Sequence, residues 1–486
     1  MTTRTERPGY SALVLTMLLI VYTFNFLDRQ ILGILAKPIQ ASLNLDDKQF
    51  GAIGGTAFAI LYSVLGVPLA LAADRWGKTR VIAGSLVVWS GFTALCGTAA
   101  GFWQLFLYRL GVGVGEAGGA APSYALIADY FPVERRARAL AIYSMGIPIG
   151  LGLGVLLGAY IAQNVNWQTA FVVMGVAGIV VAPIFLFLVR DRFPPTVAVK
   201  GAPSPLSVMP ILMRKPAYWL LSVGAGCSSM AGYGLALWAP KIIAVQFGWT
   251  APDELVKVGQ FMGALLLIGG SLGIFMGGVV SDRLGKIDRA WYCRVPAIAW
   301  LITAPMFILG FNTPTPMLAW CILLIPNALN TLWLGPIITA SQHLAPSRMR
   351  AGTSGTFLLI NNLLGLGLGP WLMGAISVSL KAQYGDQSLG IAAMIGVCLY
   401  LAAAVLALLA IRPLKRGWVE EGAEVPTPPQ SQVTGAILLM ASLVVWIVDL
   451  VLFPMVAVTI LAGLLTVAGL VLLIRPAPSV RASRQT

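Results

Sequence analysis

Four charged residues sit where charge is costly. Asp28 and Arg29 are adjacent in an apolar run that begins near Ser11 and ends near Lys37-Pro38, and Glu116 lies in a second run with Arg109 seven positions before it. Each run is long enough, at ~1.5 Å rise per helical residue, to cross a ~30 Å hydrocarbon core. Burying such a group at membrane depth costs at least ~2.5–3.5 kcal/mol on insertion scales, so charges placed there face a partner or a wet cavity. A seven-residue spacing puts Arg109 and Glu116 on one helical face, ~10 Å apart along the axis. Burial favours the neutral form of an acid and a neighbouring guanidinium favours the charged form, so moving the arginine switches the acid between them. The chemistry these residues offer is a proton or counter-ion relay. Proton-independent transport by the purified protein would contradict it.

The chain offers no catalytic alternative. It has no HExxH and no soluble nucleotide-binding domain, which argues for no enzyme, no metal and no cofactor. Its one histidine, His343, falls in a turn without partner ligands and reads as a solvated loop residue. Gly113, Gly115 and Gly118 form a GxGxxG, but no strand precedes it, so close helix packing is the better account.

The elements that must position these charges are membrane spans. Of 486 residues 58% are hydrophobic and only 10% charged, far below the ~25% charge of a soluble protein. The net charge of +14 is spread in short clusters between apolar runs, which argues against nucleic acid. The five cysteines are scattered, with no disulfide framework. Arg4 and Arg7 precede a run without a cleavage site, read as a retained first span. Apolar runs predict six spans within 1–189, a polar linker 190–216, six spans within 217–411, a second linker 412–434, a hairpin 435–474 broken at Phe453-Pro454, and a tail 475–486. That is an all-α polytopic protein of about fourteen spans. With the N-terminus inside, the inward segments carry 25 basic residues and the outward loops 5, which sets both termini on the cytoplasmic side.

Two halves of one design are visible. Asp74-Arg75-Trp76-Gly77-Lys78 returns as Asp282-Arg283-Leu284-Gly285-Lys286, after the second span of each half. The fuller pattern, Gly-x3-Asp-Arg-x-Gly-Lys, is complete in the second copy and has Ala70 for glycine in the first. Small residues allow close helix approach, and charges at helix ends can latch neighbouring spans. This pattern resembles the signature of the major facilitator superfamily over about residues 11–411. The resemblance implies two six-helix bundles that rock around a central cavity, with this motif as an inner gate latch.

Asn25 to Arg29, Gly113 to Ala117 and Ile127 to Pro132 are similar to the spinster branch of that superfamily. The resemblance implies transport of lysophospholipids or sphingoid lipids, and proton use in bacterial members. It assigns Asp28 and Glu116 as protonatable acids and Arg29 as their partner, with Arg109 in the same cavity. One departure is Gly118-Gly119-Ala120-Ala121, where bulkier polar residues would be expected. The glycines from Gly146 to Gly158 resemble an exporter-type motif of the fifth span, with generic helix packing as the other reading. Asn25, Tyr233, Trp238, Asn327, Asn330, Trp333, Asn361 and Asn362 are candidates to line the cavity or to hold helices together. Asp449 is expected to reach the interface, and the hairpin around it lies outside the twelve-span pattern.

The expectation is therefore a proton-coupled secondary transporter of the bacterial inner membrane, monomeric, moving an amphipathic anion such as a lysophospholipid by alternating access. The same machine with a sugar acid or drug as cargo is the first alternative, and a non-transporting receptor or scaffold is the second.

Overall fold

The computed structural model describes residues 9–194, 205–285, 287–346, 349–420, 428–452 and 456–474. Lys286, part of each linker, the Phe453-Pro454 break and the 475–486 tail lie outside the described residues. What is described is helical, as lipid demands, because only helices and closed barrels satisfy every backbone group without water. The first half runs α1 (Tyr10–Ile34), α2 (Ala36–Leu43), α3 (Asp47–Gly51), a π turn (Ala52–Thr56) and α4 (Ala57–Trp76). It continues with α5 (Lys78–Cys96), α6 (Phe102–Glu116), α7 (Ala120–Tyr130), α8 (Val133–Ser144), α9 (Gly146–Asn164) and α10 (Trp167–Leu188). A short α11 (Met209–Met213) leads into α12 (Pro216–Gln246), α13 (Leu255–Leu284), α14 (Trp291–Phe311), α15 (Pro316–Leu329) and α16 (Leu334–Gln342). Then come α17 (Arg350–Tyr384), α18 (Ser388–Val397), α19 (Leu399–Gly417), α20 (Gln430–Val451) and α21 (Val456–Ile474).

Local sequence explains the breaks. Asp46 and Gln49 form a capping box at the start of α3, and Asn166 accepts from the Thr169 N–H at the start of α10. Pro216 and Pro316 open α12 and α15, where a missing N–H costs nothing. Gly77, at φ 97°, turns the chain between α4 and α5, which gives the glycine of the repeated motif its reason.

Eleven helical stretches among the described residues are long and apolar enough to cross a membrane. The sequence count was fourteen, and three features account for the difference. The α6–α7 stretch is interrupted after Glu116, Gly352–Gly417 counts as one 66-residue stretch, and the apolar part of α21, Ala457–Leu473, is short.

The repeat in sequence is matched by a repeat in packing. In the first half α1 packs on α9, α4 on α6, and α5 on both α6 and α10. Correspondingly, α12 packs on α17, α13 on α15, and α14 on both α15 and α19. Between the halves, α9 meets α13, and α3, the π turn and α4 meet α17. These two seams are equivalent under the same two-fold relation.

The halves touch at one end and part at the other. Asp47 pairs with Lys241 at 2.6 Å and accepts from Ser377 and Gln40. Lys241 also donates to Gln40, Lys37 to the Thr250 carbonyl, Thr56 to the Gly367 carbonyl at 2.6 Å, and Gln30 to the Ala236 carbonyl. Gly51 and Gly55 let α17 approach so closely that a Cβ would lie 2.5 Å and 2.6 Å from the carbonyls of Pro370 and Leu366. At the opposite end Asp74, Arg75 and Trp76 stand exposed, and a Cβ on Gly66 or Gly355 would meet nothing within 4 Å.

Candidate functional site

The charged cluster lies where α1, α5 and α6 converge. Helix α1 is seated on α9 by glycines at a four-residue period. A Cβ on Gly150 would sit 2.4 Å from the Thr23 carbonyl, and one on Gly154 would sit 2.7 Å from that of Leu27. Gly146 and Gly158 face Tyr22 and Ile31 in the same way, while Gly152 faces Gly263 of the other half. On α6, Gly113 abuts the Phe58 carbonyl and Gly115 the Trp89 backbone, and in the turn that follows Gly118 abuts the Ser85 hydroxyl. The GxGxxG is thus a packing surface, and it sets how near Arg109 and Glu116 come to α1 and α5.

Within that frame Arg29 Nε donates to Glu116 Oε2 at 2.7 Å. Asp28 accepts from Thr93 Oγ1 at 3.3 Å, and the Arg109 charge acts on both acids. Two acids and two bases balance. Asp28, Glu116 and Arg109 are almost fully buried, while the Arg29 side chain keeps 13% of its surface. Among the described residues, Asp28 Oδ1, Glu116 Oε1 and two Arg109 nitrogens have no hydrogen-bond partner, so each acid keeps an oxygen able to take a proton.

The Arg29 guanidinium is caged by rings that the sequence reading missed. Its carbon stands 4.9 Å from the Phe26 centroid, 4.7 Å from Phe58 and 4.8 Å from Tyr62. Such contacts contribute ~0.5–2 kcal/mol each according to how dry the site is. Tyr22 stacks on Tyr143 at 4.2 Å and meets Phe26 edge-on, and Tyr124 packs on Tyr143, which extends the aromatic wall. The available signal was the spacing: Tyr22 and Phe26 precede Arg29 by helical steps, as Phe58 and Tyr62 precede Gly66.

The expected lining residues separate. Asn25 is buried beside Glu116, and Tyr233 lies within electrostatic reach of Arg29. Asn330 accepts from Tyr400 at 2.7 Å, Asn361 from Ser229 at 2.8 Å, and Asn327 donates to the Leu323 carbonyl. Asn362 stays partly exposed. Trp333 packs between Trp300 and Phe357. Trp238 is fully buried at the closed end, donating to the Pro370 carbonyl and flanked by Phe50 and Lys241.

Of the repeated motif, Lys78 pairs with Asp129 at 2.5 Å within its own half, and Thr79 donates twice to Asp191. Asp282 and Arg283 end α13, Arg283 is exposed, and Gly285 follows. Two expectations are corrected. His343 is half-buried, its ring stacked on Trp418 at 4.2 Å with Nδ1 on the Thr339 carbonyl. Asp449 is buried and accepts from Thr459 at 2.6 Å.

A two-fold helical membrane protein with a neutralised charge cluster between closed and parted ends is built as a transporter. The family model described as Major Facilitator Superfamily matches residues 18–370, and the chain belongs to that superfamily. It is 34% identical over 410 residues to an MFS-type efflux pump of Mycolicibacterium smegmatis, covering 83% of this chain and 94% of the relative. To protein spinster homolog 1 of Homo sapiens it is 30% identical over 404 residues, covering 78% and 75%. A solved bacterial homologue of the human lysosomal transporter Spinster, inward-facing and unoccupied, superposes with a TM-score of 0.74 at 26% identity, covering 85% of this chain and 99% of that one. The occupied inward-facing form gives 0.72 at 28% identity with the same coverage. The protein is a spinster-type secondary transporter rather than an enzyme, a multi-pass membrane protein that works on a small-molecule substrate within lipid.

Proposed function

We propose that this protein is a proton-coupled alternating-access transporter of amphipathic anions, with a lysophospholipid as the type of cargo. The Arg29–Glu116 pair carries the reading. Arg29 keeps part of its surface, is ringed by aromatic side chains and bonds Glu116 through Nε, so an anionic headgroup can compete for it while an apolar chain lies on the rings. Arg29 taken by substrate leaves Glu116 without its main counter-charge, and the buried acid then takes a proton. Substrate and proton binding thereby reinforce each other. Asp28 and Arg109 hold the local charge balance through the cycle. The likeness to spinster proteins supports a transporter of that branch, for which the sequence resemblance implies a lipid cargo.

In this reading residues 1–189 and 217–411 are the rocking halves of a twelve-span core, and the hairpin brings the spans to fourteen. The Asp47 end faces outward, both termini are cytoplasmic, and the protein works as a monomer in a bacterial inner membrane. The Asp74 end is then the open cytoplasmic mouth, and the motifs Asp74–Lys78 and Asp282–Lys286 latch it when the outer end opens. A drug-like cargo moved outward is the second reading, and the higher identity to an efflux pump favours the outward direction.

The test is flux of a labelled anionic lysophospholipid, such as lysophosphatidic acid, into proteoliposomes, with and without a pH gradient. Flux that follows the gradient in wild type and loses that dependence in Glu116→Gln supports both parts. No wild-type flux beside an active control transporter removes the lipid cargo, and flux indifferent to the gradient removes the coupling.

A further inference from the structure

The hairpin α20–α21 has no place in the two-fold pattern, yet its location is specific. Helix α20 touches the segment just before α12 (Pro205–Val208 and α11), the second-half helix α17, and the first-half π turn Ala52–Thr56. It therefore straddles the seam where α3, the π turn and α4 meet α17. Ala436, Met440, Ile447 and Val451 are buried and belong to the main apolar core. Helix α21 packs chiefly on α20. Gly435 and Gly469 bring the two together so closely that a Cβ on either would lie 2.7–2.8 Å from the other's carbonyl. Thr459 donates to Asp449 at the other end of the pair. Its far face, with Ile460, Leu464 and Val467 each more than half exposed, is apolar and suited to lipid.

The attachments are unequal. On the second-half side stand α17, the Pro205–Met213 segment and a bond from Arg214 Nη2 to the Leu473 carbonyl at 3.0 Å. On the first-half side stands the π turn. Insertions of this kind put one extra residue in a helical turn and mark places where a helix yields. The equivalent seam, α9 against α13, is held by Gly152 on Gly263 and Gly259 on Ala159, and neither hairpin helix lies on it. Beyond Gly270 on Pro148, toward the parted end, α13 exposes Leu272, Phe275 and Met276, and α8 exposes Ile142.

We propose that the α20–α21 hairpin is a strap carried by the second half that covers the α4–α17 seam against lipid and leaves the α9–α13 side as the lateral way to Arg29 for an acyl chain. The cover stands on packing alone. Only the acyl-chain clause rests on the proposed lipid transport.

The experiment uses the full chain in phosphatidylcholine vesicles containing a lipid with a diazirine in its acyl chain, and maps adducts by mass spectrometry after illumination. Adducts on Leu464, Val467, Leu272 and Phe275, with at least tenfold fewer on residues 52–56, are expected. Ala436→Trp, which wedges α20 off its seat, should raise labelling of residues 52–56 at least fivefold, and so should a chain ending at Glu420. If the shortened chain does not fold, the point variant decides. Labelling of residues 52–56 in the full chain as strong as that of Phe275, or unchanged by unseating α20, overturns the cover. Repeating the map with a diazirine-bearing lysophosphatidic acid tests the lateral way, and equal labelling of both seams overturns that clause. Neither map requires flux, so a failed transport assay with the expected pattern leaves the cover standing.

Discussion

Arg29 combines a hydrogen bond to one carboxylate with three aromatic neighbours, and a lysine cannot reproduce that arrangement. Lysine lacks the planar fork that bonds through one edge and stacks through its face. Arg29→Lys should lower gradient-driven flux by about tenfold or more while leaving the fold intact, read from transport beside thermal melting. The glycines beneath α1 give a contrasting test at the same scale. Gly150→Val places carbon into the Thr23 carbonyl and should destabilise by about 1–3 kcal/mol, whereas Gly84→Ala, with open space around it, should be neutral or stabilising. A melting comparison of the two variants checks both. Asp28, Arg29 and Glu116 were legible because ionisable residues in apolar runs announce themselves. Phe26, Phe58 and Tyr62 were not, since an aromatic in a span is ordinary until a cation is placed over it.

The elements divide between contacts that hold and contacts that must break. Asp47 and Lys241 are 194 positions apart in the chain, and no local pattern pairs them. Their ion pair, with Gln40 and Ser377 around it, is a charged tie between the halves at the closed end. Asp47→Asn should loosen that end and raise the labelling rate of a cysteine placed at the nearly buried Leu45, in a chain whose five native cysteines are replaced. An unchanged rate would mean that apolar packing alone keeps the end shut. Another tie joins the α13–α14 turn to the end of α19, where Asp288 accepts from Lys415 and from the Ala290 N–H. These bonds hold the Asp288 carboxyl below the usual aspartate range, the Lys415 bond most of all. The group binds a proton less readily folded than unfolded, so its contribution is present at neutral pH and is lost as acid drives the pH through the lowered value. The small melting difference between wild type and Asp288→Asn should accordingly vanish in strong acid. The same corner explains His343. Its partner Trp418 lies 75 residues on, so a turn histidine read alone looked solvated.

At the scale of the molecule, the repeated Asp-Arg-x-Gly-Lys turn anticipated the two-fold packing of both halves. It did not say which end is shut, because sequence encodes both arrangements of a rocking machine and only the structure selects one. Hydropathy placed the hairpin but not its seat over the α4–α17 seam, which depends on packing between distant helices. The central claim is that the halves rock, with the Asp47 end opening as the Asp74 end closes. The most direct measurement is a pair of spin-label distances in lipid, with labels at exposed positions. One pair spans the closed end, at Ser42 and Gln387, and the other the parted end, at Arg80 and Arg416. On adding an anionic lysophospholipid at acidic pH, the first distance should lengthen and the second shorten within the same sample. Distances that stay fixed, or change in the same sense, while substrate still crosses the membrane would contradict alternating access in this protein.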